Sequence, residues 1–81
     1  MPTFRELERF ILNDDRYGAK WEKIRTADHD YYEKKLPNGE IWRTKVSFAK
    51  QKEIPSRLFQ EILKHQLYTE KREFNKISKG R

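Results

Sequence analysis

Pro37-Asn38-Gly39 separates two runs of strand-forming residues, and this short turn constrains the chain more than any other feature. Strands joined by so few residues pair antiparallel, and the loop length sets which residues face each other. If the loop is Pro37-Asn38-Gly39, Leu36 faces Glu40, Tyr32 faces Thr44 and His29 faces Ser47. If it is Asn38-Gly39 alone, Pro37 faces Glu40 and His29 faces Phe48. Asn-Gly is the signature of the shorter loop, whereas proline first and glycine third suit a type I turn closed by a left-handed residue. The hydrophobic pattern favours the longer one. It gathers Tyr32, Trp42, Val46 and Phe48 on one side and leaves His29, Tyr31, Glu33, Arg43, Lys45 and Ser47 on the other. A slip of one residue reverses all of these.

The flanking segments build a fold around this hairpin. Thr3-Phe4-Arg5-Glu6 reads as a capping box, and Phe4, Leu7, Phe10 and Ile11 recur at helical spacing, which predicts a helix over 4–12. Asn13-Asp14-Asp15 and Gly18 end it. Residues 21–27 alternate as a strand, with Trp21, Lys23 and Arg25 on one side and Glu22, Ile24 and Thr26 on the other. Further strands are expected over 30–35 and 40–48, followed by a polar linker over 50–53. Pro55 suits the first turn of a second helix, where Leu58, Ile62 and Gln66 lie beside Phe59, Leu63 and Leu67 as an amphipathic face. Thr69 is placed to cap a short last helix over 70–77, and 78–81 reads as a frayed basic tail. The expected fold class is α+β: α-β-β-β-α in two layers, a three-stranded antiparallel sheet with helices on one face, and a short extra C-terminal helix. One domain spans 1–77. Phe4, Phe10, Trp42, Phe48 and Phe59 are expected in the core, and Trp21 and Tyr31 on the open face.

Composition narrows the function. With 81 residues, 40% charged and 35% hydrophobic, the chain is too small for a deep active-site cavity. Its two Trp, four Tyr and five Phe sit in periodic segments, so it folds rather than remaining disordered. The lack of cysteine fits a reducing compartment. No apolar run approaches the roughly 20 residues of a membrane span, and no signal-peptide core opens the chain, so the expected location is cytoplasmic, with no membrane partner. A net charge of +6 favours a polyanionic partner, nucleic acid among them.

Acid–base chemistry near neutral pH has few carriers here, because His29 and His65 are the only histidines and no thiol exists. His65 sits near the end of its helix, where a cation suits the helix dipole. Asp28-His29-Asp30 lacks the spread of ligands that zinc needs, so neither metal nor cofactor is expected. No glycine-rich phosphate loop, Ser-His-Asp set or Cys-His pair is present. On the longer-loop register, His29 lies in a basic, aromatic surface able to hold phosphates on Lys and Arg and bases or sugars on tyrosine. The candidate RNA contacts are Arg25, Tyr31, Lys34, Arg43 and Lys45. Lys34-Lys35 and Lys50 with Lys52 also read as ordinary exposed charge, and His29 as a polar residue in a strand-edge turn.

The pattern resembles the HicA toxin family, whose fold is that of double-stranded-RNA-binding domains. The resemblance runs through His29-Asp30-Tyr31-Tyr32-Glu33-Lys34, Pro37-Asn38-Gly39, Thr44-Lys45-Val46-Ser47 and Glu53-Ile54-Pro55. It continues through Leu58-Phe59-Gln60-Glu61-Ile62-Leu63-Lys64-His65-Gln66-Leu67 and residues 69–74. It implies a metal-independent endoribonuclease toxin that cleaves mRNA, with His29 at the catalytic position and a HicB-type antitoxin as partner. Ala27-Asp28 stands where Gly-Ser is usual in that family, placing a carboxylate where a phosphate would lie. On this reading His29 is the general acid or base, Lys45 and Arg43 stabilise the phosphorane-like charge, and Tyr31 positions the substrate. Asp28 and Asp30 are expected to favour the imidazolium where they lie close. The alternative is a non-catalytic module of the same fold that binds RNA or a protein.

Overall fold

The computed structural model describes residues 2–80. Helix α1 (Phe4–Asn13) leads through a single helical turn at Arg16–Gly18 into strands β1 (Trp21–Thr26), β2 (His29–Lys35) and β3 (Ile41–Ser47). Helix α2 (Ser56–Ile62) widens into a π turn at Leu63–Leu67, and α3 (Lys71–Ser78) follows. The strands form one antiparallel sheet in the order β1-β2-β3, with the helices on one face. The expected α+β class and element order hold. Among the described residues no helix is long and apolar enough to cross a membrane.

Local chemistry explains where the elements begin. The Thr3 hydroxyl accepts from Glu6 N at 3.3 Å, and Glu6 Oε1 accepts from Thr3 N at 2.9 Å, closing the capping box. The linker after β3 satisfies two more free donors of α1, since Phe4 N donates to Lys52 O and Arg5 N to Lys50 O. At the hairpin tip, Gly39 N donates to Leu36 O and Leu36 N to Glu40 O, with Gly39 at φ 95°. This is the longer loop. His29 therefore pairs with Ser47, Tyr31 with Lys45, and Tyr32 with Thr44.

The core lies between sheet and helices. Leu7, Phe10 and Ile11 of α1 meet Phe59, Ile62, Leu63, Leu67, Phe74 and Ile77 over Tyr32 and Val46. Phe74 stacks on Phe10 at 5.2 Å between ring centres and meets Phe59 edge-on at 5.0 Å, within the range of favourable aromatic pairs. Trp42 packs at the margin between two tyrosines, 5.9 Å from Tyr17 and 4.6 Å from Tyr68. Both tyrosines are left-handed, at φ 63° and 50°, a conformation costing about 1–2 kcal/mol in a non-glycine residue.

Several expectations need correction. Phe48 is half exposed rather than core. β3 ends at Ser47, whose hydroxyl accepts from Ala49 N, and Lys50 N folds back onto Phe48 O; this tight turn swings Phe48 outward. Trp21 is buried, not open-faced, and its indole donates to Asp14 Oδ2 at 2.9 Å. The alternation in β1 breaks at a bulge between Lys23 and Arg25, which leaves Ile24 unpaired and sends Arg25 to the side opposite Trp21 and Lys23. Thr69 does not cap α3: Glu70 holds that position, and Thr69 N instead closes the π turn by donating to Leu63 O at 3.0 Å. Ser78 is no frayed tail; it is the buried last residue of α3, whose end is held by Asn13 Nδ2 donating to Ile77 O. Arg81 lies outside the described residues.

Candidate nucleic-acid interface

The sheet turns one face to the helices and leaves the other uncovered, and strand alternation sorts the side chains. Asp30, Tyr32 and Lys34 of β2 are buried on the helix side, whereas His29, Tyr31, Glu33 and Lys35 project from the open side. Open-side neighbours come from both flanking strands. Tyr31 lies between Arg25 of β1 and Lys45 of β3, and Glu33 lies between Glu22 and Arg43. The face is thereby divided. Its His29 end carries a cation–aromatic–cation row, and its turn end carries mixed charge.

At the His29 end, Asp28 holds the arrangement together. Its Oδ1 accepts the Tyr31 hydroxyl at 2.9 Å, and its Oδ2 lies 3.5 Å from His29 Nδ1 without an aligned hydrogen bond. The Tyr31 hydroxyl, with help from its own backbone and from His29, holds the Asp28 carboxyl below its ordinary value. Nδ1 is shut off from solvent while 31% of the His29 side chain stays accessible. The Asp28 carboxylate lies on the Nδ1 side of the ring, so Nε2 is the nitrogen turned away from it. The His29 and Tyr31 rings stand nearly edge-to-face, 6.2 Å apart, and the Arg25 guanidinium lies 4.4 Å over the Tyr31 ring. Lys45 is exposed and has no acidic partner among the described residues. Arg43 differs, because its Nε is bound to Glu33 Oε2 at 3.1 Å and its charge is partly neutralised.

The structure thus brings together four of the sequence-predicted residues, His29, Tyr31, Arg25 and Lys45, and keeps Arg43 on the same face in an ion pair. It removes Lys34. That side chain is 0% exposed, with Nζ 2.9 Å from Asp14 Oδ2, so it cannot meet a surface ligand. The same period of two that turns Tyr32 inward turns Lys34 inward, and that was the available signal. Asp30 points inward as well, bound by Thr26 and Lys50, so only Asp28 adjoins the imidazole. Burial opposes ionisation of Asp30, but hydrogen bonds from Thr26 and Lys50 and the Lys23 charge outweigh it and keep its carboxyl below the usual value. Asp28, whose carboxylate the family resemblance sets where a phosphate would lie, stands against both the Tyr31 hydroxyl and the imidazole. His65 lies on the exposed face of the helical segment with Arg57, Gln60 and Lys64, apart from this cluster. Among the described residues no three His, Cys, Asp or Glu side chains gather as a metal site.

Comparison with protein-family models, curated proteins and solved structures finds no match for this chain.

Proposed function

We propose that the uncovered sheet face around His29 is the active site of a HicA-like, metal-independent endoribonuclease that acts on mRNA. The observation that carries this reading is the hairpin register, which puts the imidazole, Tyr31 and Lys45 side by side on the face the helices leave free. The ribose 2′-oxygen attacks the adjacent phosphorus, the bond to the 5′-oxygen breaks, and a 2′,3′-cyclic phosphate and a 5′-hydroxyl result. His29 Nε2 takes the 2′-hydroxyl proton or gives one to the departing 5′-oxygen, with water serving the other transfer. Lys45 and Arg25 offset the charge that develops on the phosphoryl oxygens, and Tyr31 aligns the strand. Asp28 keeps the ring oriented. A HicB-type antitoxin that covered this face would block cations and imidazole together, and a message-cleaving role places the protein in the cytoplasm.

The test is incubation with single-stranded RNA in EDTA, beside His29→Ala. Cleavage by the parent to 2′,3′-cyclic phosphate ends, with a loss of about 10²–10⁴-fold in the variant, supports the enzyme. Cleavage unchanged in the variant overturns the assignment of His29. Binding without cleavage by either protein favours a non-catalytic RNA-binding module, a reading to which the exposed Asp28 carboxylate beside the imidazole lends weight.

A further inference from the structure

The turn that expels Phe48 also opens a groove of about 550 Å³, lined by Arg5, Phe48, Ala49, Lys50, Gln51 and Lys52. Its size falls within the roughly 300–1,000 Å³ of small-molecule sites, room enough for a nucleotide. Three of its lining side chains are cationic and none is acidic. Lys50 is committed, with Nζ 3.3 Å from Glu8 and 3.4 Å from Asp30. Arg5 and Lys52 are exposed and have no acidic partner among the described residues. Phe48 exposes half its surface although it is among the most apolar side chains in the chain. The groove lies where the chain turns after β3, one residue beyond Ser47, with Arg5 of α1 as its far wall.

An exposed aromatic ring sharing a groove with uncommitted cations is the arrangement by which single strands are held. Every base has a stacking face, while a duplex keeps its bases inside. We infer that this groove is a subsite for one unpaired nucleotide of single-stranded RNA, its base on Phe48 and the flanking phosphates on Arg5 and Lys52. The inference rests on the RNA-cleavage reading for its class of ligand and adds strandedness to it.

The experiment measures binding apart from cleavage, using full-length protein in the His29→Ala background and fluorescence anisotropy. The probes are a labelled single-stranded RNA oligonucleotide and the same sequence as a duplex. The single strand should bind more tightly than the duplex at equal salt. Phe48→Ala should weaken single-strand binding by about 5- to 150-fold, the range expected for losing one base–aromatic stack. Lys52→Glu should weaken it further with rising salt sensitivity lost, whereas Lys64→Glu, an equal charge change outside the groove, should act less. Circular dichroism confirms that each variant is folded. Equal affinity for duplex and single strand, an unchanged affinity in Phe48→Ala, or an equal effect of Lys64→Glu overturns the subsite. Cleavage by the parent with an inert Phe48→Ala sinks the groove and leaves the nuclease standing; Phe48-dependent binding without cleavage does the reverse.

Discussion

Lys34 Nζ and Asp14 Oδ2 lie 2.9 Å apart with neither side chain exposed to solvent. Burial pushes the Lys34 ammonium below its ordinary value despite this partner. Asp14 in turn accepts from Trp21 Nε1 and from the Arg16 backbone, Nε and Nη2, while Arg16 Nη2 reaches Leu67 O at 2.8 Å. One carboxylate therefore links the loop after α1 to β1, β2 and the π turn. Removing one member of a buried pair leaves the other charge uncompensated, which costs about 3–5 kcal/mol. Lys34→Met is expected to fall at the lower end, because Arg16 still faces Asp14. Urea unfolding measures it, and a loss below about 1 kcal/mol would mean that the pair is dispensable.

Acid should unfold this protein through its inward carboxylates. Burial opposes ionisation of Asp14, yet hydrogen bonds from Arg16, Lys34 and Trp21 prevail and hold its carboxyl below the ordinary value. The folded value is depressed, so the unfolded chain binds more protons and stability rises with pH. This contribution is complete above the unfolded carboxylate value of about 3.9 and is lost as pH falls through the folded one. Urea midpoints should hold steady from pH 7 to 5 and decline below about 4. Asp30→Asn should flatten the decline, since Asp30 shares the shift. A midpoint insensitive to pH across that window would contradict the assignment.

On the proposed nuclease reading, Asp28 can be separated from His29 kinetically. Asp28→Ala frees the Tyr31 hydroxyl and leaves Nδ1 without its neighbouring carboxylate, so kcat should fall about 10-fold, part of the roughly 10²–10⁴ a positioned acid or base supplies. The same change removes a negative charge from the proposed RNA-binding face, so KM for RNA should fall too. Asp28→Asn keeps an acceptor for Tyr31 and should lie between. Unchanged kcat with lower KM would reduce Asp28 to electrostatic tuning.

The hairpin turn can be weakened without touching the core. Gly39 sits at φ 95° with open space where a Cβ would point, so any penalty there is backbone strain alone. Gly39→Ala should lower unfolding free energy by about 1–2 kcal/mol, and Gly39→Asn by less. Equal stability of Gly39→Ala and the parent would show that the loop relaxes to another turn.

Short-range chemistry made much of this protein legible. Thr3 and Glu6 mark the start of α1 because the capping box closes within one turn, and Pro37 and Gly39 select the loop because their backbone preferences need no outside partner. From that loop the positions of His29, Tyr31 and Lys45 follow by alternation alone. What tertiary structure decided involves partners far apart in the chain. Lys34 finds Asp14 twenty positions away, the bulge after Lys23 redirects Arg25 beside Tyr31, and Thr69 joins the helix before it instead of capping the next. Phe48 leaves the core at the turn after Ser47, the same turn from which Lys50 reaches inward to Glu8 and Asp30. Each of these outcomes balances burial against hydrogen bonding, and that balance exists only once the layers have met.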